Sequence, residues 1–310
     1  MLPYLSKRLA VLVPTVLGVA TVVFLLTHAM PGDPVDIMLG EYAQAADREA
    51  LSRRLGLDRP VSVQYLSFLS GLARGDLGRS IQGDQPVAEL VALHAPATAE
   101  LALAALLIAV AIALPLGLLS AWKAGGTVDR LSLAGSMLGV AVPNFWLGPM
   151  LVLLFSIQLG WLPVSGRGSA AHLVLPALTL GTAMAGLLVR MTRSSLLEVM
   201  GEDYVRTARA KGLGESMVML RHVLANALTP LLSVLGLQLG GLLAGAVITE
   251  TIFAWPGLGR LMVQAIYSRD YPVVQGCVLV IAVTYVLVNL LTDLAYVWAN
   301  PRVNYGDDDD

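Results

Sequence analysis

The chain has 310 residues, 56% hydrophobic and only 14% charged, with a formal net charge of −2 and a mean hydropathy of +0.72. Such a composition excludes an ordinary soluble domain. The near-zero net charge says little about partners, because in a membrane protein charge counts by side rather than by sum; no nucleic-acid partner is implied.

The apolar residues come in runs too long for core helices, and a run of about 20 crosses a hydrocarbon layer of about 30 Å. Six such runs are read as spans: Leu9–Leu26, Ala97–Ala121, Leu131–Leu159, Leu173–Met191, Leu228–Phe253 and Val273–Trp298. The predicted fold is all-α, a polytopic membrane protein with six transmembrane helices. Residues 1–30 form the first helix, 31–96 an outer helical segment, 97–300 a transmembrane core and 301–310 a tail. Lys7 and Arg8 before the first run also suit a signal peptide, but the run is longer than the usual apolar region of one, about 7–15 residues. A retained helix is expected.

After the first span, Pro31-Gly32-Asp33-Pro34 reads as a turn at the membrane surface. Residues 47–57 and 61–73 show helical spacing of apolar positions (Leu51 and Leu55, then Val61, Tyr65, Leu69 and Leu72). Gly56 sits where a helix would be capped, and Pro60 suits the start of the next. Within the spans, Gly135-x-x-x-Gly139, Gly236-x-x-x-Gly240 and Gly241-x-x-x-Gly245 suit close helix packing. Pro115, Pro143 and Pro176 are expected to interrupt their spans.

Orientation follows from the short connections. One side carries Lys7, Arg8, Lys123, Arg130, Arg190, Arg193, Arg206, Arg209, Lys211, Arg221 and Arg302, the short loops of the other only Arg167, Arg260 and Arg269; the long segment after the first span is mixed in sign and does not count. Both termini are therefore expected in the cytoplasm.

Enzyme signatures are absent: no Walker A loop, HExxH, Cys/His metal spacing or GxSxG elbow occurs. His28, His94, His172 and His222 are scattered near span ends, and Cys277 is a lone thiol within the last span. No catalytic, cofactor or metal residue is assigned. Glu100, Glu250 and Asp293 lie near helix ends, which argues against a proton-coupled carrier with a mid-membrane carboxylate. Phe253–Arg260 is expected to form a non-helical turn at the outer end of the fifth span, because Pro256 lacks a donor and Gly257 and Gly259 bend easily. Glu250, one turn earlier, is expected to face an aqueous entrance. Pro143, Asn144, Glu250, Phe253, Trp255, Pro256 and Gly257 are the candidate pathway or gate residues.

The most informative stretch is the cytoplasmic loop 194–227, above all Glu202–Leu228. Tyr204 to Lys211 suits a short helix ended by a left-handed Gly212. A second helix is expected from Glu215 or Ser216, with an apolar stripe of Met217, Leu220, Val223 and Leu224. Ala208, Ala210 and Gly212 keep the first helix slim, and Arg206, Arg209 and Lys211 surround it. Such a helix can enter a groove in a cytoplasmic partner.

This segment resembles the coupling loop of binding-protein-dependent ABC importer permeases, whose pattern is EAA, three residues, Gly, nine residues, I-x-LP. With Gly212 on the family glycine, Arg206-Thr207-Ala208 stands at EAA, His222 at the Ile and Leu224-Ala225 at LP. Arg206, His222 and Ala225 depart from the pattern. The wording YVRTARAKGL is similar to the peptide, glutathione and nickel branch, as are Leu55–Pro60, Gly75-Asp76-Leu77-Gly78, Pro143–Gly148, Leu175-Pro176-Ala177, Phe253–Arg260, Asp270–Val273 and Asn300-Pro301-Arg302. The resemblance covers nearly the whole chain. It implies the type I permease fold and a non-catalytic subunit in the bacterial inner membrane. Implied partners are a second homologous permease, two ATPase subunits holding ATP and Mg, and a solute-binding protein. Tyr204, Arg206, Thr207, Ala208, Arg209, Ala210, Lys211 and Gly212 would then be the ATPase-coupling residues. Peptides are the expected cargo, with glutathione or nickel as alternatives. A stand-alone channel or secondary carrier is the competing class, expected to show inverted repeats and a mid-membrane ion site.

Overall fold

A computed structural model of the chain describes residues 2–29, 35 and 44–299. The expected turn at 31–34 and the segment 300–310 lie outside the described residues. The described elements are helical: α1 (Leu2–Ala29), α2 (Ala45–Leu55), α3 (Val61–Ala73), α4 (Val87–Trp122), α5 (Thr127–Ala141), α6 (Asn144–Leu151), α7 (Ala170–Met200), α8 (Asp203–Ala210), α9 (Ala225–Ile252), α10 (Leu258–Tyr267) and α11 (Tyr271–Ala299). Two π-helical segments, Val152–Gln158 and Val218–Leu224, continue α6 and lead into α9, the second after a single α turn at Glu215–Met217. Two compact units are formed, one from Met1–Thr98 with Pro256–Val286 and one from Ala99–Trp255 with Leu287–Asp310.

By length and composition α4, α7 and residues 271–295 of α11 can each cross a membrane, and up to five spans arise if each bent helix pair counts as one. Residues Leu12–Leu26 of α1 form a shorter apolar stretch. The third expected span is not straight. α5 ends at Ala141, and the chain turns at Val142 and Pro143 so that the following helix lies at 101° to it. A proline N-cap with ψ of 140° cannot continue the preceding helix. Pro115 and Pro176, in contrast, lie inside uninterrupted helices. Lateral packing there holds the helix together despite the missing donor.

In the first unit, α3 lies along α1. Thr21 and Tyr65 share a hydroxyl hydrogen bond of 2.7 Å, and the Phe24 ring stands 5.2 Å from Tyr65 and 5.6 Å from Phe68. α2 ends as expected: Gly56 takes φ +71°, with Gly56 N–H donating to Arg53 and Leu57 N–H to Ser52. Cys277 is buried among Val87, Val91, Leu258, Val273 and Val274, as a small hydrophobe. Asp270, itself 3% exposed, accepts from Ser80 Oγ at 2.5 Å and Ile81 N–H at 3.1 Å, fixing the 80–86 turn to the start of α11.

In the second unit small residues set how closely helices approach. A Cβ on Gly181 would stand 2.8 Å from the Ala105 carbonyl, one on Gly186 2.4 Å from that of Ser136, and one on Gly236 2.1 Å from the Thr292 methyl. Two of the expected glycine pairs thus serve packing within the chain through one member: Gly139 meets the Thr182 carbonyl and Gly236 meets Thr292, whereas Gly135 and Gly241 face open space.

Candidate functional site: the 194–227 loop and its seat

The loop begins where α7 ends at Met200. Glu202 caps α8 in extended conformation, and α8 runs from Asp203 to Ala210. It is one residue shorter than expected at its C-terminus, where Lys211 is the cap. Gly212 then takes φ +76°, as expected. Gly212 N–H donates to the Arg209 carbonyl at 2.9 Å and Leu213 N–H to that of Ala208 at 3.4 Å. This double closure is the Schellman end, which satisfies carbonyls that a helix terminus leaves open.

Two faces of α8 are distinct. Val205 and Ala208, three residues apart, are buried in a cluster with Ala121 of α4, Leu196 of α7, Val218, Met219 and Val223 of the π segment, and Ala227 of α9. Ala208 therefore belongs to the seat and not to the presented surface. Its small side chain lets α8 lie close on the seat. The other face is exposed: Tyr204, Arg206, Thr207, Arg209, Ala210, Lys211 and Gly212. A short basic helix is thus clamped by its apolar side and offers its polar side to solvent.

The expected stripe in the second helix is only partly right. Val223 is buried, but Met217 and Leu220 are 50% and 56% exposed, while Val218 and Met219 take their place in the core. The cause is the π winding. Bonds from i to i+5 put Val218 and Val223 on one face, where α winding would have paired Leu220 with Val223 and Leu224.

The loop is braced electrostatically. Arg209 Nε and Nη2 donate to the two carboxylate oxygens of Glu215 at 3.1 and 2.8 Å, bridging the Gly212 turn. These bonds hold the Glu215 carboxyl below its ordinary value. Partial burial, and secondarily the Glu202 carboxylate, raise the Tyr204 phenol. Arg206 makes a looser contact of 3.4 Å with Asp203.

A polar cluster that the sequence reading passed over lies beside this seat. Asp129, in the first turn of α5, is 2% exposed. Its carboxylate accepts from Arg193 Nε and Nη2 of α7 at 2.6 and 2.8 Å, from Ser120 Oγ of α4 at 2.5 Å and from Gly125 N–H at 2.7 Å. The available signal was a lone carboxylate just after a Gly-Gly turn between two apolar helices, among short connections otherwise rich in Lys and Arg.

The candidate pathway residues separate into two places. Pro143 and Asn144 sit at the α5–α6 bend, Pro143 exposed and Asn144 half-buried. The break after α9 is real but shorter than expected: Phe253 to Gly257 are non-helical and α10 resumes at Leu258. Its left-handed residue is Ala254, φ +48°, while Gly257 is extended at φ −101°. Glu250 is fully buried rather than facing water, and Phe253 and Trp255 are each 1% exposed. The break folds these side chains inward: Trp255 N–H donates to the Glu250 carbonyl at 2.8 Å, and Gly166 N–H to that of Phe253 at 2.8 Å. Arg167, held by Glu100 at 2.7 and 2.9 Å, places its guanidinium 5.7 Å from the centre of the Trp255 ring. Among the described residues no group of His, Cys, Asp and Glu side chains is arranged to hold a metal ion.

Comparison with known proteins agrees with this architecture. Residues 113–305 match the family described as binding-protein-dependent transport system inner membrane component, and residues 1–102 match its N-terminal companion. The chain is 44% identical over 337 aligned positions to the dipeptide transport system permease protein DppB of Escherichia coli K12, covering 98% of this chain and 99% of that protein. It is also 44% identical to the glutathione transport system permease protein GsiC of Pectobacterium atrosepticum, with 98% and 100% coverage. An inward-facing structure of the MetNI methionine ABC transporter shares the fold at a TM-score of 0.59 and 17% identity, over 68% of this chain and 96% of that one. The chain belongs to the family of inner-membrane components of binding-protein-dependent transport systems, as an ABC importer permease.

Proposed function

We propose that this permease forms half of the translocation path of an ATP-driven importer of short peptides. It would pair with a second homologous permease, two cytoplasmic ATPases that bind ATP with Mg, and an outer solute-binding protein. The carrying observation is the two-faced α8: an exposed row of Tyr204, Arg206, Thr207, Arg209 and Lys211 on a helix whose Val205 and Ala208 are locked into the second unit's cytoplasmic core. An ATPase gripping the exposed row moves the ends of α4, α7 and α9 with it, because a packed seat transmits displacement instead of absorbing it. In this reading both termini are cytoplasmic, the 31–96 segment faces outward, and the chain itself carries no catalysis.

Peptide cargo is supported by the similarity to DppB, whose name states dipeptide transport. The equal identity to GsiC supports glutathione as the second reading. Pro143 and Asn144, at the one sharp bend of α5 and α6, are the residues proposed to border the path. The deciding experiment reconstitutes the complete transporter in proteoliposomes and measures ATP-dependent uptake of labelled dialanine and labelled glutathione. Dialanine uptake is the expected result. Uptake of glutathione alone would replace the cargo reading, and uptake that is independent of ATP would remove the importer reading.

A further inference from the structure

The Asp129 cluster joins three helices at one point. Ser120 is on α4, Gly125 in the turn after it, Asp129 on α5 and Arg193 on α7, and the four donors together fill both carboxylate oxygens. The Asp129 side chain is 3% exposed and that of Arg193 25%, so water competes little for the pair. The guanidinium meets the carboxylate as a two-pronged fork, a geometry with little rotational slack.

Its neighbours give the location meaning. Ser120 is followed directly by Ala121, and Leu196 lies one helical turn beyond Arg193; both Ala121 and Leu196 are walls of the α8 seat. α5 contributes nothing to that seat. Its cytoplasmic end is tied by Asp129 to the α4 and α7 ends on which α8 rests. At its other end α5 runs into the bend at Val142 and Pro143. Hence the pair lies between the surface where force is applied and the helix that leads to the bend.

Building on the reading of α8 as the ATPase contact, we propose that Asp129 and Arg193 are positioning residues for transport, which make α5 follow the coupling helix. Without the pair, α8, α4 and α7 still move together through their apolar seat, while α5 keeps its packing on α7 at Gly139 and Gly186 but loses the tie at the end nearest that seat.

The test uses the complete transporter with Asp129→Asn or Arg193→Lys, variants that keep side-chain size and remove the charge or the fork. Hydrogen exchange is measured with and without a non-hydrolysable ATP analogue and Mg. In the unaltered complex, exchange in both α8 and α5 is expected to change with nucleotide; in the variants the α8 response stays and the α5 response is lost. ATP hydrolysed per dialanine imported should rise roughly two- to thirty-fold, the range that altered coupling produces. Gly236→Ala is the control for mere loosening, since its Cβ would clash with the Thr292 side chain in the α9–α11 contact, away from the pair. It should lower the melting midpoint and leave the ratio unchanged. The proposal is overturned by a normal α5 response in the variants, by an equal rise in ratio for Gly236→Ala, or by failure of both variant complexes to assemble, which would make the pair a folding requirement. Absence of an α8 response in the unaltered complex would instead overturn the docking of α8.

Discussion

Arg209 and Glu215 meet across the Gly212 turn as a bidentate pair, 2.8 and 3.1 Å, tying the end of α8 to the start of the π segment. The pair is about two-fifths exposed on each side, so its contribution to stability is small, about 0.2–1 kcal/mol. Its effect is on the angle at which α8 leaves its seat.

The first prediction is a pH dependence. The Glu215 carboxyl is depressed below its ordinary value of 4.5 by the Arg209 bonds. A group depressed by folding contributes its stability above the unfolded value and loses it as pH falls through the folded one. The small difference in melting midpoint between the unaltered chain and Glu215→Gln should therefore be constant from neutral pH down to 4.5 and vanish below it. A difference that disappears near neutrality would show that the pair does not form.

Gly212 supplies the second. A Cβ there would meet nothing within 4 Å, so any cost comes from φ +76° alone. Gly212→Ala should cost about 1 kcal/mol and Gly212→Val somewhat more, within about 1–3 kcal/mol. The loss should appear as ATP hydrolysis uncoupled from uptake, since the strain falls on the end of α8. Normal transport by Gly212→Val in vesicles holding all subunits would exclude a fixed α8 end.

Gly148 and Phe253 give a third. A Cβ on Gly148 would lie 3.2 Å from the Phe253 ring and 3.5 Å from the Ile252 side chain. Gly148→Val should overpack this contact and destabilise by about 1–3 kcal/mol, measured as thermal unfolding in detergent. Phe253→Leu in the same chain should recover part of that loss. No recovery would mean that the strain lies elsewhere in α6.

Glu250 gives a fourth. Because its side chain is wholly enclosed, Glu250→Gln should change uptake of lysine-containing and neutral dipeptides by the same factor. A selective loss of the cationic cargo would show that the carboxylate meets it.

Topology is the fifth. Asp84 already holds φ +50° and is well exposed beside Arg79. Asp84→Cys should react with a membrane-impermeant thiol reagent in intact cells. Labelling only after lysis would reverse the proposed orientation.

Much of this molecule is legible along the chain, because lipid demands long apolar helices and turns demand glycine. The helix with its left-handed Gly212, the Gly56 cap and the short helices α2 and α3 all follow from local rules that act within a few residues. The direction of side chains does not. Whether Ala208 faces a partner or a seat, whether Glu250 meets water, and which of Val218 and Leu220 is buried depend on how α7, α8 and the π segment lie against one another, and π winding shifts a face without leaving a mark in periodicity. Asp129 and Arg193 stand 64 positions apart, each unremarkable as an isolated charge near a span end. Only packing of α4, α5 and α7 through Gly117 and Gly186 brings four donors to one carboxylate, since a charge inside a tight helix bundle persists only when its partners arrive from several elements at once.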